Sequence, residues 1–335
     1  VKPFAYVRAT DLPEAIAAHG ARPGSRYLGG GTNLVDLMKL GVEAPDTLVD
    51  LTGLPLGSVE ETADGGLRIG SAVRGSELAL HPLVRTRYPV LSQALLAGAS
   101  PQLRNVATTG GNLLQRTRCP YFQDVAKPCN KREPGTGCGA RDGVHRDHAV
   151  LGHSPRCIAT HPSDMAVALV ALDAGVELQG PGGARTVPAT AFHRLPGDQP
   201  ERDTVIEPGE IVTAVTLPPE RAGLPSRYRK ARDRASYAFA LASVAAVLDV
   251  SGGRVRHVAL AFGGLAHRPW RATAAEERLL GAAPTESAVR EAVEAELDAA
   301  EPLRDNAFKV PLARNLACDV LNSLAGSPPS RGSRS

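Results

Sequence analysis

The sequence predicts an α+β fold built from a small α/β unit, a larger second unit and a smaller C-terminal α+β unit. Three observations predict it. The 335 residues are 43% hydrophobic and 22% charged, the balance of a globular chain long enough for two or three cores. About the first 55 residues alternate strand, glycine loop, helix and strand. A proline cluster, Pro218-Pro219 with Pro225 just beyond, marks a boundary near residue 222. A net charge of +3 gives no reason to expect a general nucleic-acid or membrane-surface binder. No apolar run approaches the ~18 residues that spanning a bilayer requires. The start, Val1-Lys2-Pro3-Phe4, lacks the apolar core of a secretory signal, so the expected location of the chain alone is cytoplasmic.

Local patterns justify the elements in turn. Asp11 and Glu14 form a capping-box-like start for a helix carrying Leu12, Ala15, Ile16 and His19. Ser25–Leu28 reads as a strand that runs into Gly29-Gly30-Gly31-Thr32-Asn33, after which Leu34, Leu37, Met38 and Gly41 fall at helical spacing. Thr47–Leu51 is the next strand. Beyond it come a strand over Leu67–Val73, a helix over Leu91–Ala99 and a second glycine loop, Thr108-Thr109-Gly110-Gly111-Asn112. Apolar periodicity returns at Ile158, through Met165–Ala171 and the strand-like Gly175–Leu178, to Ile211–Leu217. After the boundary the pattern predicts a helix over Ala238–Val247, a strand pair around Gly252-Gly253 and C-terminal helices, with an ambiguous handover at Val244–Val250. The predicted units are therefore 1–55, 56–222 with an anomalous insertion at 116–157, 223–326, and a disordered Ser/Pro/Arg/Gly tail at 327–335.

Both glycine loops suit an oxyanion. Exposed N–H groups at a strand-to-helix turn favour negative charge, and glycine removes the Cβ atoms that hold a phosphate off the backbone. A tight turn is the alternative for either loop alone. The first is not a dinucleotide fingerprint, because Leu34 occupies the third glycine position, and no Gly-Lys-Ser/Thr makes it a Walker loop. Two such loops in one chain suggest a diphosphate held between two segments, hence a dinucleotide cofactor.

The insertion concentrates Cys119, Cys129, Cys138 and Cys157, while Cys318 stands apart on the apolar helical pattern Leu312–Leu324, as a buried structural thiol. The spacings do not match paired C-x2-C zinc sites, although His145, His148, His153 and His161 keep a mixed Cys/His zinc site open. A disulfide reading needs an oxidising compartment. Ordering about 40 residues costs on the order of 1–2 kcal/mol each, and the insertion offers few large apolar groups to offset it. Either it is disordered or something binds the thiolates; four cysteines match the ligand count of an iron–sulfur cluster.

Leu28-Gly29-Gly30-Gly31-Thr32-Asn33-Leu34, Ala107-Thr108-Thr109-Gly110-Gly111-Asn112-Leu113 and Ala159-Thr160-His161-Pro162-Ser163-Asp164 resemble the FAD-binding medium subunits of molybdenum hydroxylases, the xanthine dehydrogenase and carbon monoxide dehydrogenase flavoprotein family. The resemblance covers nearly the whole chain. The insertion, through Cys129-Asn130-Lys131-Arg132 and Gly137-Cys138-Gly139, resembles the periplasmic aldehyde oxidoreductase type. What this implies is a two-subdomain FAD fold of the vanillyl-alcohol oxidase type followed by a small α+β domain. It implies FAD held by Leu28 to Leu34 and by Thr108 to Asn112, with Asp164 accepting hydrogen bonds from its hydroxyls and Ser163 beside it, Ile211 near the flavin and Lys230 beside its ring. It implies a 4Fe–4S cluster on Cys119, Cys129, Cys138 and Cys157. The implied role is electron transfer from a 2Fe–2S small subunit through FAD to an external acceptor, beside a molybdenum-cofactor large subunit, with periplasmic location reached by co-export on a signal-bearing partner. A scaffold subunit with structural zinc and a free-standing flavin oxidase are the rival readings.

Overall fold

The computed structural model describes residues 1–326, so the tail expected to be disordered lies outside the described residues. Among the described residues, twelve strands form three sheets. The first is parallel, with β1 (Ala5–Arg8), β2 (Ser25–Leu28) and β3 (Thr47–Asp50) in the order β1-β3-β2. Asp11 caps the helix Leu12–Gly20 by accepting the Glu14 amide at 2.7 Å, and Glu14 reaches back to the Thr10 amide rather than to its own cap.

The second sheet is antiparallel: β4 (Val59–Glu61), β5 (Leu67–Gly70), β6 (Gly175–Gly180), β7 (Gly183–Pro188) and β8 (Ile211–Leu217), ordered β4-β5-β8-β6-β7. The long excursion between β5 and β6 carries the helix Pro89–Ala97, the second glycine loop, the insertion and the helix Asp164–Ala171. Every residue of that last helix is buried. The third sheet runs β12-β11-β10-β9, from β9 (Ser226–Ala231), β10 (Ala242–Ser251), β11 (Arg254–Gly263) and β12 (Trp270–Arg271).

The helix expected over Ala238–Val247 is absent; its second half is the central strand β10. The reason is burial on both faces. Ala245 and Val247 enter the core formed with the helices Pro89–Ala97 and Asp164–Ala171, whereas Val244, Ala246 and Leu248 enter a second core beneath the C-terminal helices Glu286–Leu297 and Lys309–Ala325. A strand sandwiched in this way loses its polar alternation and reads as a continuous apolar run. The expected hairpin at Gly252-Gly253 is present as β10–β11, with both glycines at positive φ. Cys318 sits in the second core, 8% exposed.

Candidate functional site

The two glycine loops lie side by side. A Cβ on Gly30 would overlap the Val106 carbonyl, and one on Gly29 would come within 2.9 Å of the Thr108 hydroxyl. Their small size is thus required first by loop-on-loop contact. Gly31, at φ +73°, supplies the left-handed turn into the next helix. Both loops feed short helices, Leu34–Lys39 and Thr109–Leu113. A helix dipole builds up over several turns, so what these loops offer an anion is individual N–H groups more than a macrodipole.

Thr32, Asn33, Gly111, Asn112, Ser163 and Asp164 share one cleft of about 480 Å³, within the usual range for cofactor pockets. The three segments are stitched together. Ser163 caps its helix by accepting the Ala166 amide at 3.0 Å and donates to Asn112 Oδ1 at 2.6 Å, while Asn33 Oδ1 accepts the Arg116 amide at 2.9 Å. Asp164 is committed to a buried network, receiving Lys230 Nζ at 2.7 Å on one oxygen and the Tyr228 hydroxyl on the other. Burial, reinforced by the Asp164 charge, drives the Tyr228 phenol well above its ordinary pKa, so it stays a donor.

The structure does not bring every expected residue to the cleft wall. Leu28, Gly29, Gly30, Gly31, Leu34, Thr108, Thr109 and Gly110 lie behind it, and Thr109 donates its hydroxyl to the Val73 carbonyl at 3.0 Å. The Cβ position of Gly110 faces Ser71 at 3.1 Å, not the cleft. Ile211 is buried with Ala9, Ala15 and Val49 in the core of the first sheet. Lys230 reaches Asp164 and the Ala97 carbonyl from behind.

Asp36, Arg118 and the 233–241 segment with Tyr237 and Phe239, which sequence reasoning overlooked, stand on the cleft wall together with His148 and His161, which it raised as zinc candidates. Among the described residues, Asn33 Nδ2, Arg118 Nε, His148 Nδ1 and His161 Nε2 are buried without partners. Orphaned polar groups cost roughly 1–3 kcal/mol each, so their gathering in one cleft points to a polar ligand. Burial pushes the His161 imidazole well below its ordinary pKa, which keeps it neutral. Pattern reading could not assign these residues to the cleft, since an unpaired atom has no sequence signature.

Cys119, Cys129, Cys138 and Cys157 line a second cavity of about 10 Å³, far smaller than the cleft. All are free thiols, and Cys129 pairs its backbone with Cys138 as an isolated bridge. Burial pushes Cys119 up to about 12 and Cys157 to about 11. Among the described residues no three His, Cys, Asp or Glu side chains converge at the spacing of one ion's ligands. The insertion is ordered by polar anchors that the sequence argument overlooked. Buried Lys131 donates to the Pro200 carbonyl at 2.6 Å and to Asp203, which also receives Arg116 at 2.9 Å. Buried Lys309 donates to the Asp147, His148 and Gly264 carbonyls at 2.8–2.9 Å.

Residues 2–220 match the family described as the FAD binding domain in molybdopterin dehydrogenase, and residues 226–324 match the CO dehydrogenase flavoprotein C-terminal domain. The chain belongs to the FAD-binding subunits of the molybdenum hydroxylases. Among relatives of this FAD subunit, the aldehyde oxidoreductase FAD-binding subunit PaoB of Escherichia coli K12 is 52% identical over 323 residues, spanning 96% of this chain and 98% of PaoB. The carbon monoxide dehydrogenase medium chain of Hydrogenophaga pseudoflava is 28% identical over 326 residues, 96% of each chain. The fold matches the reconstituted CO dehydrogenase of Oligotropha carboxidovorans with a TM-score of 0.77, covering 98% of this chain and 99% of that one at 24% identity. The FAD-binding family, the cleft's size and its unpartnered donors fit one another, and Asn33 and Arg118 offer N–H groups suited to a diphosphate.

Proposed function

We propose that this chain is the electron-transfer subunit of a molybdenum-dependent aldehyde oxidoreductase, carrying FAD in the cleft and a 4Fe–4S cluster on Cys119, Cys129, Cys138 and Cys157. The single observation behind the cluster reading is that the four thiols of the insertion line one cavity. Four thiols on one cavity match the ligand count of such a cluster. The aldehyde assignment draws on the similarity to PaoB. Bound FAD and cluster supply the redox chemistry, taking electrons from a 2Fe–2S small subunit that serves a molybdenum-bearing large subunit and delivering them to an external acceptor.

The chain's own residues bind, orient and tune. Thr32, Asn33, Gly111 and Asn112 supply hydrogen bonds along the cleft, and Ser163 fixes Asn112. The buried Lys230–Asp164–Tyr228 network holds the cleft wall rigid from behind.

The test is metal and flavin analysis of the full chain prepared anaerobically. The proposal expects about one FAD and about four irons with sulfide per chain. Stoichiometric zinc in a colourless, flavin-free protein would establish the scaffold reading in its place.

A further inference from the structure

Cys119 belongs to both cavities, lining the thiol cavity and the FAD cleft alike. Beside it stands His148, also on the cleft wall and only 4% exposed. Its Nε2 lies 3.1 Å from Cys119 Sγ. The residue is held in place from several elements. The His148 amide donates to the His145 carbonyl at 3.1 Å, and its carbonyl accepts Lys309 Nζ at 2.9 Å and Asn306 Nδ2 at 3.3 Å. The Tyr121 ring flanks it at 6.4 Å between centroids. Lys309 and Asn306 are themselves fully buried and come from the C-terminal unit. The backbone that carries the imidazole is therefore held by two units, and the ring itself meets Cys119 Sγ and Tyr121.

A metal-bound thiolate can only accept a hydrogen bond, so in the loaded protein Nε2 must carry the hydrogen and donate it to Cys119. That leaves Nδ1 as an acceptor, and it has no partner among the described residues. Hydrogen bonds to cluster sulfurs are a protein's standard lever on potential, because they favour the more negative, reduced state.

We propose that His148 is a positioning residue for the thiol site: its Nε2–H···Sγ bond to Cys119 raises the potential of the bound cluster on the side nearest the FAD cleft. The proposal rests on the cluster reading above, and the experiment separates the two. Full-length wild type, His148→Leu and His148→Gln are loaded anaerobically with iron, sulfide and FAD. Iron is counted first, and the cluster potential is then titrated by EPR. Leu should hold the wild-type iron content but titrate at a lower potential, and Gln, whose amide N–H can reach the same sulfur, should move back toward wild type. Equal potentials in wild type and the Leu variant at equal iron overturn the proposal and leave the cluster standing. A wild type without iron overturns both. Should the Leu variant not hold iron, wild type labelled with ¹⁵N-histidine decides. Pulsed EPR of its reduced cluster should show a nitrogen coupling, absent from His148→Gln, and the lack of any such coupling overturns the proposal.

Discussion

Asp164 and Lys230 show how a residue can serve the cleft without exposing much of itself to it. Their side chains are 8% and 3% exposed and pair at 2.7 Å. Removing one member of a buried pair strands the other and costs roughly 3–5 kcal/mol. Lys230→Met should therefore lower the urea midpoint sharply and release FAD, and adding Asp164→Asn to it should restore part of the stability. If the double variant is no better than Lys230→Met, the pair is not the source of the loss. A second residue-scale effect concerns acid. Burial lowers His193 and His267 to about 4, against roughly 6.5 in the unfolded chain. As pH falls from about 6.5 toward 4, the unfolded state takes up protons that the folded state refuses, so stability drops through that window. Below it Asp203 continues the trend. Burial would raise its carboxyl, but Lys131, Arg116 and His267 more than offset this and hold it well below the carboxylate range. Its contribution, full above about pH 4, is lost as pH falls further. His193→Gln, which can still donate to the Leu113 carbonyl, should flatten the pH 6.5–4.5 slope of the urea midpoint. Parallel slopes would refute this.

At the scale of elements, the glycine loops were legible as motifs, but the physical reason for each glycine was not. Gly30 is small because Val106 passes over it, a contact between segments 76 residues apart that no local pattern encodes. Gly30→Ala should separate the loops and abolish flavin binding. Gly57→Ala, with open space around it and no positive φ, should be neutral or stabilise by up to about 1 kcal/mol through the unfolded chain. Flavin content and urea midpoints of the two variants check this. An element with a one-sided environment reads well: the capped helix after Asp11 stands close to where its pattern puts it. Strand β10 did not, because Ala242–Leu248 is apolar on both faces and its period vanishes. The cleft was half legible. Thr32, Asn33, Gly111, Asn112, Ser163 and Asp164 carry recognisable motifs, whereas Arg118, His148 and His161 matter through unpartnered atoms that only packing reveals.

For the whole molecule, the insertion is the part on which sequence energetics and structure must be reconciled. Its apolar side chains are too few to fold it, yet it is ordered, because Lys131 ties one end to Asp203 and Pro200 while Asn306 and Lys309 grip residues 147–149. On either side of Lys131 the exposed stretches Asp124–Pro128 and Glu133–Thr136 are held by bonds within the insertion, from Arg132 to the Lys127 carbonyl and from the Gly135 amide to Asn130 Oδ1, so further order must come from the cysteines they flank. Metal binding to the cysteines would supply that order. Cys129→Ser should therefore reduce iron to well under four per chain and open those two stretches to proteinase K, while the anchored ends and the FAD cores survive and flavin is retained. Cys119→Ser should differ, because Cys119 also lines the cleft: iron falls and flavin affinity falls with it. Cys318, in the second core away from both cavities, provides the control, and its serine variant should keep iron and flavin alike. Iron counts, flavin spectra and mapped cleavage sites measured on the same preparations decide the matter. Equal flavin loss in the Cys119 and Cys129 variants would mean that the two cavities are not distinguished by Cys119, and iron loss in Cys318→Ser would remove the four-thiol assignment.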